Sequence, residues 1–134
     1  MLEVLSNLVT VNTNNAIPLN TVEFQKGCAI KKTGTTTLSF KSSGVYLVNV
    51  DATAVSLAET GAVSLQIAKN GNLIGIPSTE TVSNTTYEHT LSTNALVYVP
   101  DTSCCRCSNP VDVTIQNLGN DAVFSINVVV TKVR

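Results

Sequence analysis

The chain has little charge, few aromatic residues and only one imidazole. Charged residues make up 13% of its 134 residues and aromatic residues 4%, with no Trp and a single His. Ordinary soluble domains carry about 25% charged residues. Part of the surface is therefore either covered by another chain or built from uncharged Thr, Ser and Asn. The length predicts one domain over residues 1–134, in which residues 1–12 form an N-terminal strand or an attachment arm.

The charges are scattered singly, and they sum to a net charge of −1. Lys31 and Lys32 are the only adjacent basic pair, so no basic stripe predicts binding to nucleic acid or to an anionic membrane. The apolar runs are short, and no membrane insertion is expected. The first residues lack the basic and apolar regions of a secretory signal. We therefore expect a protein that stays in the cytoplasm of the producing cell or joins a particle assembled there.

Hydrophobic residues recur with a period of two along most of the chain. Between Gly44 and Ala54, residues such as Tyr46 and Val48 alternate with polar ones such as Asn49, as in a half-buried strand. The Asn70-Gly71 pair predicts a tight hairpin. Many short strands separated by turn residues predict an all-β sandwich or barrel. The other predicted strands cover residues 8–11, 22–24, 28–30, 37–40, 62–67, 91–99, 111–115 and 123–133.

The last predicted strand is apolar on one face and half apolar on the other. Phe124 and Ile126 share the first face, whereas Val123 and Val129 share the second with two polar residues. Such a strand either lies in the centre of a sheet or packs against a neighbouring subunit. On the second alternative, the candidate interface residues are Val123, Phe124 and Val129.

Phe24, the segment 44–48, the hairpin at Asn70-Gly71 and the strand 124–133 occur in an order that resembles the tumour-necrosis-factor-like and complement-head-like jelly rolls. Within that group, the chain is similar to small head domains of phage and prophage proteins and to the C-terminal domains of bacterial collagen-like spore-surface proteins. The resemblance covers about residues 12–133. It implies a sandwich of two antiparallel sheets with about ten strands, and three copies that pack around a threefold axis through one sheet.

The resemblance also implies a role in assembly and binding rather than catalysis. The expected protein is a trimeric head fibre, capsid decoration or adhesin on the surface of a phage or prophage particle. Its expected partners are its own copies, capsid or fibre proteins, and a host-surface glycan or protein; no cofactor is expected. One alternative is a trimeric head on a bacterial spore or cell surface. Another is a glycan-active β-sandwich enzyme with a site between subunits. The chain lacks the collagen stalk of some relatives, which leaves the mode of attachment open.

No catalytic arrangement is visible in the sequence. The only imidazole is that of His89, in a predicted strand, and nothing places it beside a nucleophile. The Asp and Glu residues are isolated, so no pair of carboxylates predicts a glycosidase. A polar segment over residues 75–87 is the candidate ligand-binding loop, with Thr79, Asn84 and Tyr87 as the candidate residues.

The cysteines leave three alternatives open. Cys104, Cys105 and Cys107 share a segment bounded by Pro100 and Pro110, and Cys28 stands far from them in the sequence. The Cys-x-x-Cys spacing of Cys104 and Cys107 is compatible with zinc, to which Cys28 and Cys105 would add thiolates, but zinc sites usually show two separated pairs. A disulfide, within one chain or between subunits, and free thiols are both preferred to a metal site.

Overall fold

The computed structural model describes residues 1–27, 29–100 and 111–134. This part of the chain contains no helix, and so none that could cross a membrane. Ten strands form two five-stranded sheets with the orders β2-β1-β10-β5-β8, called sheet I, and β3-β4-β9-β6-β7, called sheet II. The strands are β1 (Leu2–Val11), β2 (Thr21–Gln25), β3 (Ile30–Thr33), β4 (Thr37–Phe40), β5 (Gly44–Ser56), β6 (Ala62–Lys69), β7 (Asn72–Thr81), β8 (Glu88–Val99), β9 (Val111–Asn117) and β10 (Ala122–Lys132).

The two sheets enclose one hydrophobic core, as the period-two pattern predicts. Along β10, Phe124, Ile126 and Val128 are buried, and the residues between them are half-buried. All paired strands in both sheets are antiparallel. The prediction of an all-β jelly-roll sandwich of two antiparallel sheets is therefore confirmed. Strand β10 lies between β1 and β5, so the central position that its two-faced pattern allowed is the one observed.

Three segments differ from the predicted strands. Strand β1 begins at Leu2 rather than at residue 8, and a register shift between Ser6 and Val9 interrupts its pairing with β10. Strand β3 begins at Ile30, later than predicted. Strand β7 includes residues 75–81 of the predicted loop 75–87, so the prediction was wrong for these residues, and the connection is confined to residues 82–87. Because β7 is an edge strand and mostly exposed, it shows no alternation and tolerates Gly75 and Pro77.

The strand registers define two ends of the sandwich. At one, called the proximal end, Leu2 pairs with Val130 and Gly44 with Val99. The connection between β6 and β7 lies at this end too, because Lys69 pairs with Val113 near the start of β9. At the other, called the distal end, Val11 pairs with Ala122. The distal end also holds the connections 57–61, 82–87 and 118–121.

Candidate functional site

The outer face of sheet I carries an apolar patch near the proximal end. Val45 pairs with Tyr98 across β5 and β8, and Leu47 pairs with Leu96 one step further along. Leu96 is 64% exposed and Tyr98 59% exposed, although Leu and Tyr are costly to leave in water. Val129 on β10 lies on the same face, opposite Asn49. We call Val45, Leu47, Leu96, Tyr98 and Val129 the apolar patch.

The outer face of sheet I continues toward the distal end as a polar surface. Asn127 donates a hydrogen bond from Nδ2 to Glu3 Oε2 at 3.2 Å. Its Oδ1 is buried and has no hydrogen-bond partner among the described residues. A shallow depression of about 470 Å³ opens beside it, and its polar lining includes Asn7, Asp51 and Ser125. The outer face therefore combines the apolar patch with polar side chains around the depression, beyond which Val55 pairs with Val123 at the distal end.

The outer face of sheet II has a different character. Thr33 and Ser39 hydroxyls lie 2.8 Å apart, and Ser39 Oγ donates to Asp112 Oδ1 at 2.7 Å. Further along the sheet, the hydroxyls of Ser64 and Thr79 are hydrogen-bonded at 2.8 Å. Polar side chains that satisfy one another need no partner to cover them. The strands in the middle of sheet II are therefore covered by hydrogen-bonded polar side chains, whereas sheet I exposes Leu and Tyr side chains on its outer face.

A second apolar surface lies on the edge formed by β7 and β8. Ile76 on β7 is 79% exposed, and Leu73 on the same strand is also exposed. The two edge strands are joined across the sheets, because Thr93 Oγ1 donates to the Ile76 carbonyl and the Ser92 amide donates to Ser78 Oγ. Leu96 and Tyr98 belong to β8, so this edge is continuous with the apolar patch.

The three candidate interface residues do not lie on one face. Val123 and Val129 point to the outer face of sheet I and are half-buried. Phe124 is fully buried in the core of the sandwich, so including it among the interface residues was wrong. The reason is the period of the strand: Phe124 follows Val123 directly and must point to the opposite side of the sheet.

Leu96 and Tyr98 dominate the outer face of sheet I but are not among the residues predicted from the sequence. Residues 95–99 read Ala-Leu-Val-Tyr-Val and contain no polar position. This is the same two-faced pattern as in β10. Applied to β8, it would have identified Leu96 and Tyr98, because Val97 and Val99 between and beside them face the core.

Two of the three candidate ligand-binding residues have side chains that are already hydrogen-bonded within the protein. Thr79 lies within β7 and shares its hydrogen bond with Ser64. Asn84 Oδ1 accepts hydrogen bonds from the amides of Thr86 and Tyr87 at 2.8 and 3.0 Å, so it shapes its own turn. The side chain of Tyr87 is exposed at the distal end. Of the three, Tyr87 is the one whose side chain is presented to solvent and takes no part in shaping the turn.

The groups considered for chemistry are not brought together in the described residues. Cys28, Cys104, Cys105 and Cys107 lie outside the described ranges, and residues 1–27, 29–100 and 111–134 contain no cluster of three metal-binding side chains. His89 pairs with the inward-facing Ala54. Its Nε2 is buried, with no hydrogen-bond partner in the described part of the chain.

No family model matches the chain, and no curated protein does. Among solved structures, the PRD1 vertex protein P5 superposes with a TM-score of 0.65 at 15% identity, over 99% of this chain and 72% of that one. Eiger TNF from S. frugiperda superposes with a TM-score of 0.65 at 12% identity, over 99% of this chain and 91% of that one. Murine APRIL at pH 5.0 gives 0.59 at 9% identity, over 95% of both chains. At these identities the similarity concerns the fold, which is a TNF-like jelly roll.

Proposed function

We propose that the chain forms a homotrimer through the outer face of sheet I and acts as a non-enzymatic head domain that binds and assembles. The observation that carries this proposal is the contrast between the two outer faces. The middle of sheet II is covered by hydrogen-bonded polar side chains, and its exposed Leu73 and Ile76 lie on the edge strand β7. Sheet I exposes Leu96 and Tyr98 beside Leu47 on its outer face. A contiguous exposed apolar patch marks an interaction surface in a protein that is otherwise well packed.

A ring of three subunits requires two different patches on each subunit, because each copy contacts the next head to tail. The chain offers two such surfaces on opposite sides of sheet I. One is the β7–β8 edge with Ile76 and Leu96. The other is the β2 edge, where Val22 and Phe24 are exposed. Packing the β7–β8 edge and the adjoining apolar patch of one subunit against the β2 edge of the next covers these surfaces and closes the ring.

The expected gain is large enough for a stable assembly. Covering an exposed Leu, Phe or Tyr side chain stabilises by roughly 2 kcal/mol. Association costs roughly 4–15 kcal/mol in lost freedom of motion. Two apolar surfaces per subunit, each with several large side chains, can therefore offset this cost, and the low charged fraction of 13% is consistent with a surface that is covered in the assembly.

The setting that we propose is the surface of a phage or prophage particle. The chain shares its fold along nearly its whole length with a protein named as the vertex protein P5 of PRD1. A capsid decoration, head fibre or adhesin needs a compact domain that assembles and presents loops, which this fold supplies. Capsid or fibre proteins and a host-surface glycan or protein are the partners that such a role requires.

Light scattering tests the trimer. We expect a mass near three times 14.1 kDa that persists on dilution. Leu96→Lys should release monomers because it places a charge in the centre of the apolar patch. Leu57→Lys is the matched control: Leu57 is 55% exposed but lies in the distal connection 57–61, so this variant should remain trimeric. Circular dichroism must show that both variants are folded.

Two results of the light-scattering test would contradict the proposal. A wild-type monomer would reject the trimer. A Leu96→Lys variant that is folded and still trimeric would move the interface away from the apolar patch.

A glycan screen tests the non-enzymatic role. We expect saturable binding to a subset of bacterial-surface glycans or proteins, without release of products over prolonged incubation. Turnover that disappears in Asp51→Asn, which alters the one carboxylate that lines the depression, would instead show a glycan-active enzyme. Thr60→Ala, at the exposed distal end, is the control for a non-specific effect of substitution.

A further inference from the structure

The tertiary structure collects the basic residues at one end of the sandwich. Eight Lys and Arg residues are present, and one of them, Arg106, lies outside the described ranges. The remaining seven all lie in the proximal half, although they are spread from residue 26 to residue 134. They are Lys26, Lys31, Lys32, Lys41, Lys69, Lys132 and Arg134.

The strand registers place these residues together. Lys26 follows Gln25, which pairs with Leu2, and its amide donates to the Met1 carbonyl. Lys41 follows Phe40, which pairs with Val111 at the start of β9.

The remaining basic residues come to the same end from three other strands. Lys69 pairs with Val113, and Lys132 pairs with Tyr46 near the start of β5. On β3, Lys31 pairs with Ser39, one step away from the pair of Ile30 with Phe40. Five separate strands or connections thus contribute cations to one end.

The acidic residues are distributed in the opposite sense. Of nine Asp and Glu residues, Asp101 lies outside the described ranges. Asp51 lies near the middle of β5. Glu3, Glu23 and Asp112 lie in the proximal half, and the other four lie at the distal end. These four are Glu59, Glu80, Glu88 and Asp121, and none of the seven described Lys and Arg residues accompanies them.

Several of the proximal cations are available to a partner. Lys26, Lys31, Lys41 and Arg134 are exposed. Lys69 is held with its Nζ 2.8 Å from the Tyr98 carbonyl oxygen, so it fixes β6 to β8.

We propose that the proximal end is a docking face for an acidic protein surface. The assignment rests on the proposed function only in identifying that surface with a component of the particle. In a cyclic trimer whose strands run along the axis, the three proximal ends point to the same side. The positive electrostatic potentials of the three proximal ends then add, and the basic face is three times larger than in one subunit.

The composition of this face favours a protein partner over nucleic acid. Six of its seven cations are Lys and only Arg134 is Arg, so this face offers few of the planar guanidinium groups that bind phosphate with two hydrogen bonds. Glu3, Glu23 and Asp112 are interspersed, so the cations form separate groups and not the continuous basic stripe that follows a nucleic-acid backbone.

The experiment measures binding of fluorescent poly-L-glutamate by anisotropy at low and at physiological salt. We expect binding that weakens as salt is raised. The double variant Lys26→Ala/Lys41→Ala should weaken it about fivefold, since it removes two exposed cations that each contribute modestly to binding. Thr60→Glu/Thr85→Glu is the matched control: it changes the net charge equally but alters the exposed distal end, so its affinity should equal that of the wild type.

Each other outcome overturns the inference. If poly-L-glutamate does not bind at low salt, or if both double variants lose the same amount of affinity for it, the proximal end is not a docking face. If the protein binds a DNA duplex or phosphatidylserine vesicles more tightly than it binds poly-L-glutamate, an acidic protein is not the partner. Light scattering on the same samples separates the two proposals. A monomer that binds through Lys26 and Lys41 rejects only the trimer, and a trimer that does not bind rejects only the docking face.

Discussion

Replacing Gly119 by Ala is expected to lower the free energy of unfolding by about 3 kcal/mol. Gly119 lies in the connection between β9 and β10, flat against the backbone of β6. The amides on either side of it, those of Leu118 and Asn120, donate to the carbonyls of Ser64 and Ala62. A Cβ at Gly119 would collide with the Ala62 carbonyl oxygen and lie 2.6 Å from the Ser64 amide nitrogen. These are backbone atoms of a central strand, so relief requires a shift of β6 or of the connection.

Urea denaturation at one fixed protein concentration measures this loss, since an oligomer's stability depends on concentration. Gly71→Ala is the control. Gly71 has a φ of +84°, but a Cβ there would meet no atom within 4 Å. Its substitution should cost only the backbone strain of a left-handed Ala, about 1 kcal/mol. If Gly119→Ala is as stable as Gly71→Ala, the close approach to β6 is not a constraint on the fold.

The second large effect is expected for Asn117→Ala, which should lower the free energy of unfolding by about 3–4 kcal/mol. Asn117 is fully buried at the distal end of β9. Its Nδ2 donates to the carbonyls of Val11 and Asn120, and its Oδ1 accepts from the Gly119 amide. The truncation removes three hydrogen bonds at once and leaves buried backbone groups without a partner, which is costlier than the loss of an exposed hydrogen bond.

Gln116→Ala is the matched control for Asn117→Ala. Gln116 is the preceding residue of β9, is half-buried and points to the outer face of sheet II. Its Nε2 donates to Thr114 Oγ1 on the same strand, so its loss should change the stability by about 0.5 kcal/mol or less. Equal unfolding midpoints for the two variants would show that the network around Asn117 does not hold β1, β9 and β10 together.

Much of the fold could be predicted because its strands are half-buried. In β5 and β10, the face that packs in the core must be apolar. Every second residue is therefore apolar, as at Val48 and Ile126, and this period is visible in the sequence. Strand β7 was missed for the converse reason. As an exposed edge strand, it has no buried face to impose a pattern, and Gly75 and Pro77 there are typical of turns.

The candidate site was only partly predictable. The two-faced character of β10 pointed to a central or interfacial strand, and Val123 and Val129 do lie on the outer face of sheet I. Phe124 does not, because its neighbour Val123 takes the outward position. Leu96 and Tyr98 became recognisable as a patch only through the register that sets them beside Leu47 and Val45. A sequence lists residues along one strand, whereas a patch extends across several.

The sequence by itself determined the period of the strands, the low charge and the all-β class, since these depend on the order of neighbouring residues. The tertiary structure decided which residues meet. Charges that appear scattered along the chain are sorted into a basic proximal and a more acidic distal end, because antiparallel strands return distant residues such as Lys26, Lys69 and Lys132 to the same end. That sorting depends on connectivity and register, which no local pattern contains.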